Sequence, residues 1–167
     1  MKLPDCKDHA VRVIHPRPGG DRTPSTTRPE YVIHDSTREF TIKQQKAGVG
    51  YFGQVRVRLV DGPGLVTWQA DPLDHSSLQP GSSDDDEFIA AALAGAADGQ
   101  RLAGEAGADN AGWSIEVVHV QVNHTDIEQS AVRAAAALAV ASAFGVGERT
   151  ELSFDGGWIA RCKITEP

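Results

Sequence analysis

The chain has 167 residues and a mass of 17.8 kDa, enough for one proper core and too little for two. With 40% hydrophobic residues, 23% charged residues and a mean hydropathy of -0.30, the composition excludes both a membrane protein and a chain disordered throughout. No run reaches the ~18 apolar residues of a membrane span, and Pro4, Asp5 and Asp8 stand where a signal peptide would be apolar, so a cytoplasmic location is expected. The net charge of -7 argues against a protein that coats nucleic acid generally. It hides an asymmetry: residues 1–80 hold 11 Lys and Arg against 9 Asp and Glu, the remainder 5 against 14, so any basic surface comes from the first half. Cys6 and Cys162 lie near opposite ends, which suits reduced thiols and not a disulfide scaffold.

Residues 17–29 (RPGGDRTPSTTRP) carry no apolar side chain, so residues 1–30 are expected to form a flexible or weakly structured segment and 31–167 the folded domain. Tyr31–His34 and Arg38–Lys46 are predicted strands, the second alternating Phe40 and Ile42 with Glu39, Thr41 and Lys43. AGVGYFG reads as a glycine-punctuated turn. From Gln54, Val55, Val57 and Leu59 alternate with Gln54, Arg56 and Arg58, the pattern of a half-buried antiparallel strand. The DGPG turn at Asp61 leads to a third strand, LVTWQAD, completing a predicted meander. Serines and aspartates up to Asp86 suit the free amides and dipole of a helix predicted over 87–102. WSIEVVHVQV from Trp113 is a fourth strand. Thr125 and Glu128 form a predicted capping box opening a second helix, with Ile127, Ala131, Ala134 and Leu138 on one stripe and Gly145 at its end. The tail reads as two short strands around Asp155-Gly156-Gly157.

No GxxxxGK[ST], GxSxG, HExxH or paired CxxC occurs, so the usual enzymes are not signalled. Gly48, Gly50 and Gly53 spell G-x-G-x-x-G, but a strand and not a helix follows, which removes the helix N-terminus that would hold a pyrophosphate. Cys6, His9 and His15 lack a fourth ligand at a recognised spacing. Neither a metal nor a cofactor is expected. His119 lies inside a strand and reads as a packed or exposed sheet residue. His124 sits at a strand-to-helix corner, a place that often carries recognition residues. Arg38, Lys43, Lys46, Arg56 and Arg58 flank the glycine turn on two neighbouring strands. Projecting to one face, they would offer phosphate contacts beside Tyr51 and Phe52, side chains suited to stacking on bases.

KQQKAGVGYFGQVRV, from Lys43 to Val57, resembles a loop and strand of domain IV of translation elongation factor G, where the pattern is close to KQSGGRGQYGHVVI. HTDIEQSAVRAAAALA from His124 is similar to that domain's YHDVDSSE-type corner and long helix. EFIAAALAGAADGQRLAG is similar to its YIPAV-containing helix, and LSFDGGWIARCKITEP to its closing LEPIMKVEVETPE stretch. The resemblance runs in unbroken order from about Tyr31 to Glu166. It implies an α+β two-layer sandwich of a mainly antiparallel sheet with two helices on one face and a left-handed βαβ crossover, an exception to the usual hand. It also implies a tip of two loops that reaches the ribosomal decoding site. Matched residue by residue, the first loop holds Lys46, Ala47, Gly48, Val49, Gly50, Tyr51 and Phe52, and the second Asn123, His124, Thr125 and Asp126. Val49 stands where the family has arginine, Ala47 where it has glycine, and Thr125 where its histidine belongs. The GTPase and other domains of the factor have no counterpart here, so GTP-driven translocation is not expected of this chain alone.

Two function classes follow. One is a stand-alone, non-catalytic module that binds the ribosome or structured RNA through Lys46, Gly48, Gly50, Tyr51, Phe52, Arg56, Arg58, Asn123, His124 and Thr125. The other is a protein-interaction or structural domain that kept the fold and lost the RNA task, which suits the acidic net charge and the missing loop arginine. An enzyme is a third, weaker option, since one fold hosts many chemistries.

Overall fold

The alternating pattern over Arg38–Lys46 (β1) and Val49–Asp61 (β2) builds one long hairpin, in continuous antiparallel register from Arg38↔Val57 to Lys46↔Val49. The computed structural model describes residues 37–123 and 125–164. The predicted segment 1–30, the predicted strand Tyr31–His34 and His124 lie outside the described residues. Only Ala47 and Gly48 form the turn, both at positive φ (51° and 81°), a two-residue geometry that follows the twist of the strands it joins. The predicted glycine turn is therefore mostly strand. Gly50 and Gly53 serve close approach instead: a Cβ on Gly50 would stand 2.6 Å from Asp126 Oδ1, and one on Gly53 2.5 Å from the Ala131 carbonyl carbon.

The expected meander does not form. After β2 the chain makes a three-residue strand, β3 (Val66–Trp68), then helix α1 (Ser83–Glu105), then strand β4 (Trp113–Val120). β4 inserts between β2 and β3, antiparallel to the first and parallel to the second, so the sheet order is β1-β2-β4-β3. The reason lies in β4 itself: it is apolar along most of its length and buries Ser114, Ile115, Val117, His119 and Val120, which demands partners on both edges. The short β3 covers only an edge, and Leu65 beside it stays 59% exposed. A bulge shifts the β2/β4 register, Arg56 facing His119 while Val57 faces Val117, which leaves Val118 as the extra residue.

Helix α1 is longer than predicted at both ends. Ser82 caps it by accepting a 3.1 Å bond from Asp85 N, with Asp84, Asp85 and Asp86 in the first turn. Gly107 at φ 91° ends it. Helix α2 (Gln129–Ala143) is shorter than predicted, because its cap is Glu128 and not Thr125: the Glu128 carboxylate accepts from Ala131 N at 2.9 Å. Thr125 and Asp126 form a turn, and Ile127 and Glu128 then run extended beside Phe52 of β2, so the helix starts only after Glu128 and the Thr125 capping box does not close. Two further strands, β5 (Thr150–Phe154) and β6 (Trp158–Cys162), pair around the Asp155-Gly156-Gly157 turn as a separate small sheet.

The result is an α+β fold of two layers, a mainly antiparallel four-stranded sheet under two helices. Val55, Val57, Leu59, Ile115, Val117 and Val120 from the sheet meet Ile89, Ala92, Ala96, Ala131, Ala135 and Val140 from the helices in one core. Gly95 and Gly99 let the helices approach closely, since a Cβ on Gly99 would lie 2.6 Å from the Ala137 carbonyl oxygen. Among the described residues, no helix is long and apolar enough to cross a membrane.

Candidate functional site

The β1–β2 turn and the corner between β4 and α2 lie side by side. Phe52 N donates to the Asp126 carbonyl at 2.7 Å and Glu128 N donates to the Phe52 carbonyl at 3.1 Å, so the corner runs as a short parallel bridge beside β2. Asn123 shapes the corner by accepting from Thr125 N (3.1 Å) and Asp126 N (3.3 Å) through its side-chain oxygen, an Asx turn. Gly50 lacks the Cβ that would strike the Asp126 carboxylate. Gly48 and Thr125 are exposed, and Asn123 and Gly50 are half-buried.

Tyr51 and Phe52 project to opposite faces of β2, as neighbours on a strand must. Phe52 is 9% exposed, an anchor under the corner. Tyr51 turns toward the C-terminal hairpin, where its ring meets Phe154 (centroids 5.7 Å, 77°) and Trp158 (6.0 Å, 84°) edge to face. Phe154 and Trp158 meet each other at 5.1 Å and 75°. Lys46, exposed at the end of β1, places its ammonium 4.0 Å from the Phe154 ring centroid and 5.8 Å from that of Trp158, a cation–π arrangement. The Trp158 Nε1 donor is buried without a partner among the described residues, so ring packing and not a hydrogen bond seats this indole. Phe154 and Trp158 carry no sequence signal for the tip: about a hundred residues separate them from Lys46, and only tertiary packing joins them.

Arg56 and Arg58 do not join the tip. Eight and ten residues beyond Gly48 on β2, they stand roughly 25–35 Å along the strand from the turn, on the sheet face away from the helices. Arg56 binds Glu39 on β1 through Nε (3.0 Å) and Nη2 (2.7 Å), and Arg58 binds Glu116 on β4 through Nε at 2.8 Å. Each guanidinium is thus matched to a carboxylate across a strand pair.

On the same face His119 is 3% exposed beneath the 71–78 loop. Its Nδ1 lies 2.9 Å from Asp74 Oδ2, and Ser76 Oγ donates to Asp74 Oδ1 at 2.5 Å. Serine, aspartate and histidine meet here in the wrong order for nucleophile activation, since the carboxylate and not the imidazole holds the hydroxyl. The Ser76 hydroxyl and backbone N–H, with a smaller contribution from His119, lower the Asp74 pKa to about 2. The cluster pins the loop to β4, where Ser77 Oγ accepts from Val120 N at 3.1 Å.

An open groove of about 620 Å³ runs between α1, α2 and β6, with the Arg133–Asp98 pair (2.7 Å) and Trp158 among its walls. Asp98 raises the Arg133 pKa by hydrogen bonding and charge. Among the described residues no three His, Cys, Asp or Glu side chains gather as a metal site. Gly48, Gly50 and Gly53 lie in the β1–β2 hairpin, and the element that carries on from them along the chain is strand β2 and not a helix.

No protein-family model matches the sequence, and no curated protein matches it. In structure the chain has a distant relation to a Thermus thermophilus protein of known crystal structure, at a TM-score of 0.49 and 18% identity over 64% of this chain. The match spans 15% of that chain's length.

Proposed function

We propose that this chain is a non-catalytic recognition module resembling domain IV of elongation factor G, and that it binds the ribosome or structured RNA through the tip formed by Lys46–Phe52 together with Asn123, Thr125 and Asp126. The observation that carries this reading is the pairing of the two loops, Phe52 to Asp126 and Glu128 by backbone hydrogen bonds at 2.7 and 3.1 Å. A contact surface built this way is ordered before its partner arrives, so less conformational freedom is lost on binding. Lys46 supplies a cation for a phosphate, and the exposed turn at Ala47–Gly48 lets a backbone come close. Arg56 and Arg58, matched to Glu39 and Glu116, stand outside this surface.

That neutralisation favours a second reading, a protein partner. With Arg56 and Arg58 each paired to a carboxylate and a net charge of -7, the charge balance favours a partner other than RNA, whose binding depends on positive surface.

Binding of the wild type, Lys46→Ala and Tyr51→Ala to intact ribosomes and ribosomal RNA over a salt series separates the two. The RNA reading expects wild-type binding that weakens steeply with salt, and a slope smaller by about one for Lys46→Ala. No binding at low salt, or variants that bind as the wild type does, overturns it in favour of a protein partner.

A further inference from the structure

The geometry points to the β5–β6 hairpin as a third part of the recognition tip, with Phe154 and Trp158 acting as positioning residues that hold the Lys46 ammonium where a phosphate can reach it. This role rests on the recognition function proposed above. The three rings of Tyr51, Phe154 and Trp158 touch one another at centroid distances of 5.1 to 6.0 Å. That spacing is direct ring-to-ring contact and leaves no slot between them for a cation from a ligand. The cation they hold is the chain's own: Lys46 Nζ stands over the Phe154 face at 4.0 Å, while the residue itself remains exposed. A ring face takes up one side of an ammonium and leaves its other hydrogens free to donate, so the contact orients the charge without consuming it.

The hairpin is tied to the paired loops by hydrogen bonds as well as by rings. Trp158 N donates to Ser130 Oγ at 2.8 Å, Ser130 Oγ donates to Glu128 Oε2 at 2.5 Å, and Glu128 N donates to the Phe52 carbonyl at 3.1 Å. This relay joins β6 to the start of α2 and on to β2, next to Tyr51. An unheld lysine loses much of its rotamer freedom when it docks on a phosphate. One already seated on Phe154 has lost part of it beforehand, which is preorganisation of the binding cation.

Proton NMR of the full chain, combined with binding to intact ribosomes and ribosomal RNA, tests this. In the free protein the Lys46 Hε protons should be shifted upfield by the Phe154 ring current, with the shift lost in Phe154→Leu and kept in Phe154→Tyr. In binding, Phe154→Leu should be about two- to fivefold weaker than wild type, and Phe154→Leu combined with Lys46→Ala no weaker than Lys46→Ala alone. Thermal melts of each variant verify that the fold is retained, and the wild-type Lys46 proton shifts carry the test if the Leu variant melts early. Unshifted Lys46 protons, or losses from Phe154→Leu and Lys46→Ala that simply add, overturn the positioning role. Shifted Lys46 protons with no wild-type binding at low salt overturn the RNA reading alone and leave the seating of Lys46 by Phe154 established.

Discussion

Gly53 lies directly against the backbone of Ala131, at the point where β2 passes under the first turn of α2: a Cβ there would stand 2.5 Å from the Ala131 carbonyl carbon and 2.6 Å from Val132 N. The neighbouring atoms are backbone and cannot swing away as a flexible side chain would. This one contact sets how closely the helix approaches the sheet, and through the helix start it sets where the Asn123–Glu128 corner meets the β1–β2 turn.

Gly53→Ala should therefore push α2 off the sheet and destabilise the fold by about 1–3 kcal/mol, the usual range for overpacking a filled interior. A denaturant midpoint equal to that of the wild type would show that the helix can yield at no cost.

Ala134 and Ala135, 2% and 0% exposed, sit on the same helix inside the core. Ala134→Leu and Ala135→Leu should each cost about 1–3 kcal/mol, read as a lower melting midpoint. Unchanged midpoints for both would mean that room exists around α2 which the packing does not show.

Glu128 caps α2 through Ala131 N and holds Ser130, which in turn receives Trp158 N. Glu128→Ala should cost about 1 kcal/mol from the lost cap. It should also speed amide exchange at Trp158, because the hydroxyl that accepts from it loses its anchor. A variant that lowers stability but leaves Trp158 exchange untouched would separate the cap from the relay.

Asp74 predicts an acid-side effect of known sign. Its folded-state pKa, about 2, lies below the ordinary aspartate value of 3.8 that applies in the unfolded chain. Its contribution to stability is full above the unfolded value and is lost as pH falls through the folded one. Wild type should exceed Asp74→Asn in stability at neutral pH, and the difference should shrink between about pH 4 and pH 2. A difference that stays constant over that window would remove Asp74 as the titrating anchor of the 71–78 loop.

Periodicity determined much of this fold without help. The period-two pattern of Glu39–Lys43 and Gln54–Leu59, the serine and aspartates before Phe88, and the alanine-rich stripe around Ala134 are local signals, and the strands and helices they predict are present. What the chain alone could not decide was partnership. The edge order of β2, β4 and β3 depends on which strand has the most apolar surface to bury on both sides, a comparison between segments about 50 residues apart. Glycine shows the same divide: Gly48 is a turn residue by its φ of 81°, whereas Gly50 and Gly53 are glycine because Asp126 and Ala131 come close from far along the sequence. Thr125 and Glu128 spell a capping box, yet Thr125 and Asp126 turn instead, and backbone bonds to Phe52 hold Asp126 and Glu128 beside β2 and move the cap to Glu128. Arg56 and Arg58 read as free basic groups until Glu39 and Glu116 are brought opposite them across the strands. Short-range spacing reports what a segment can form; which groups meet, and so which charges remain to be offered to a partner, is settled only when burial selects one arrangement of the whole.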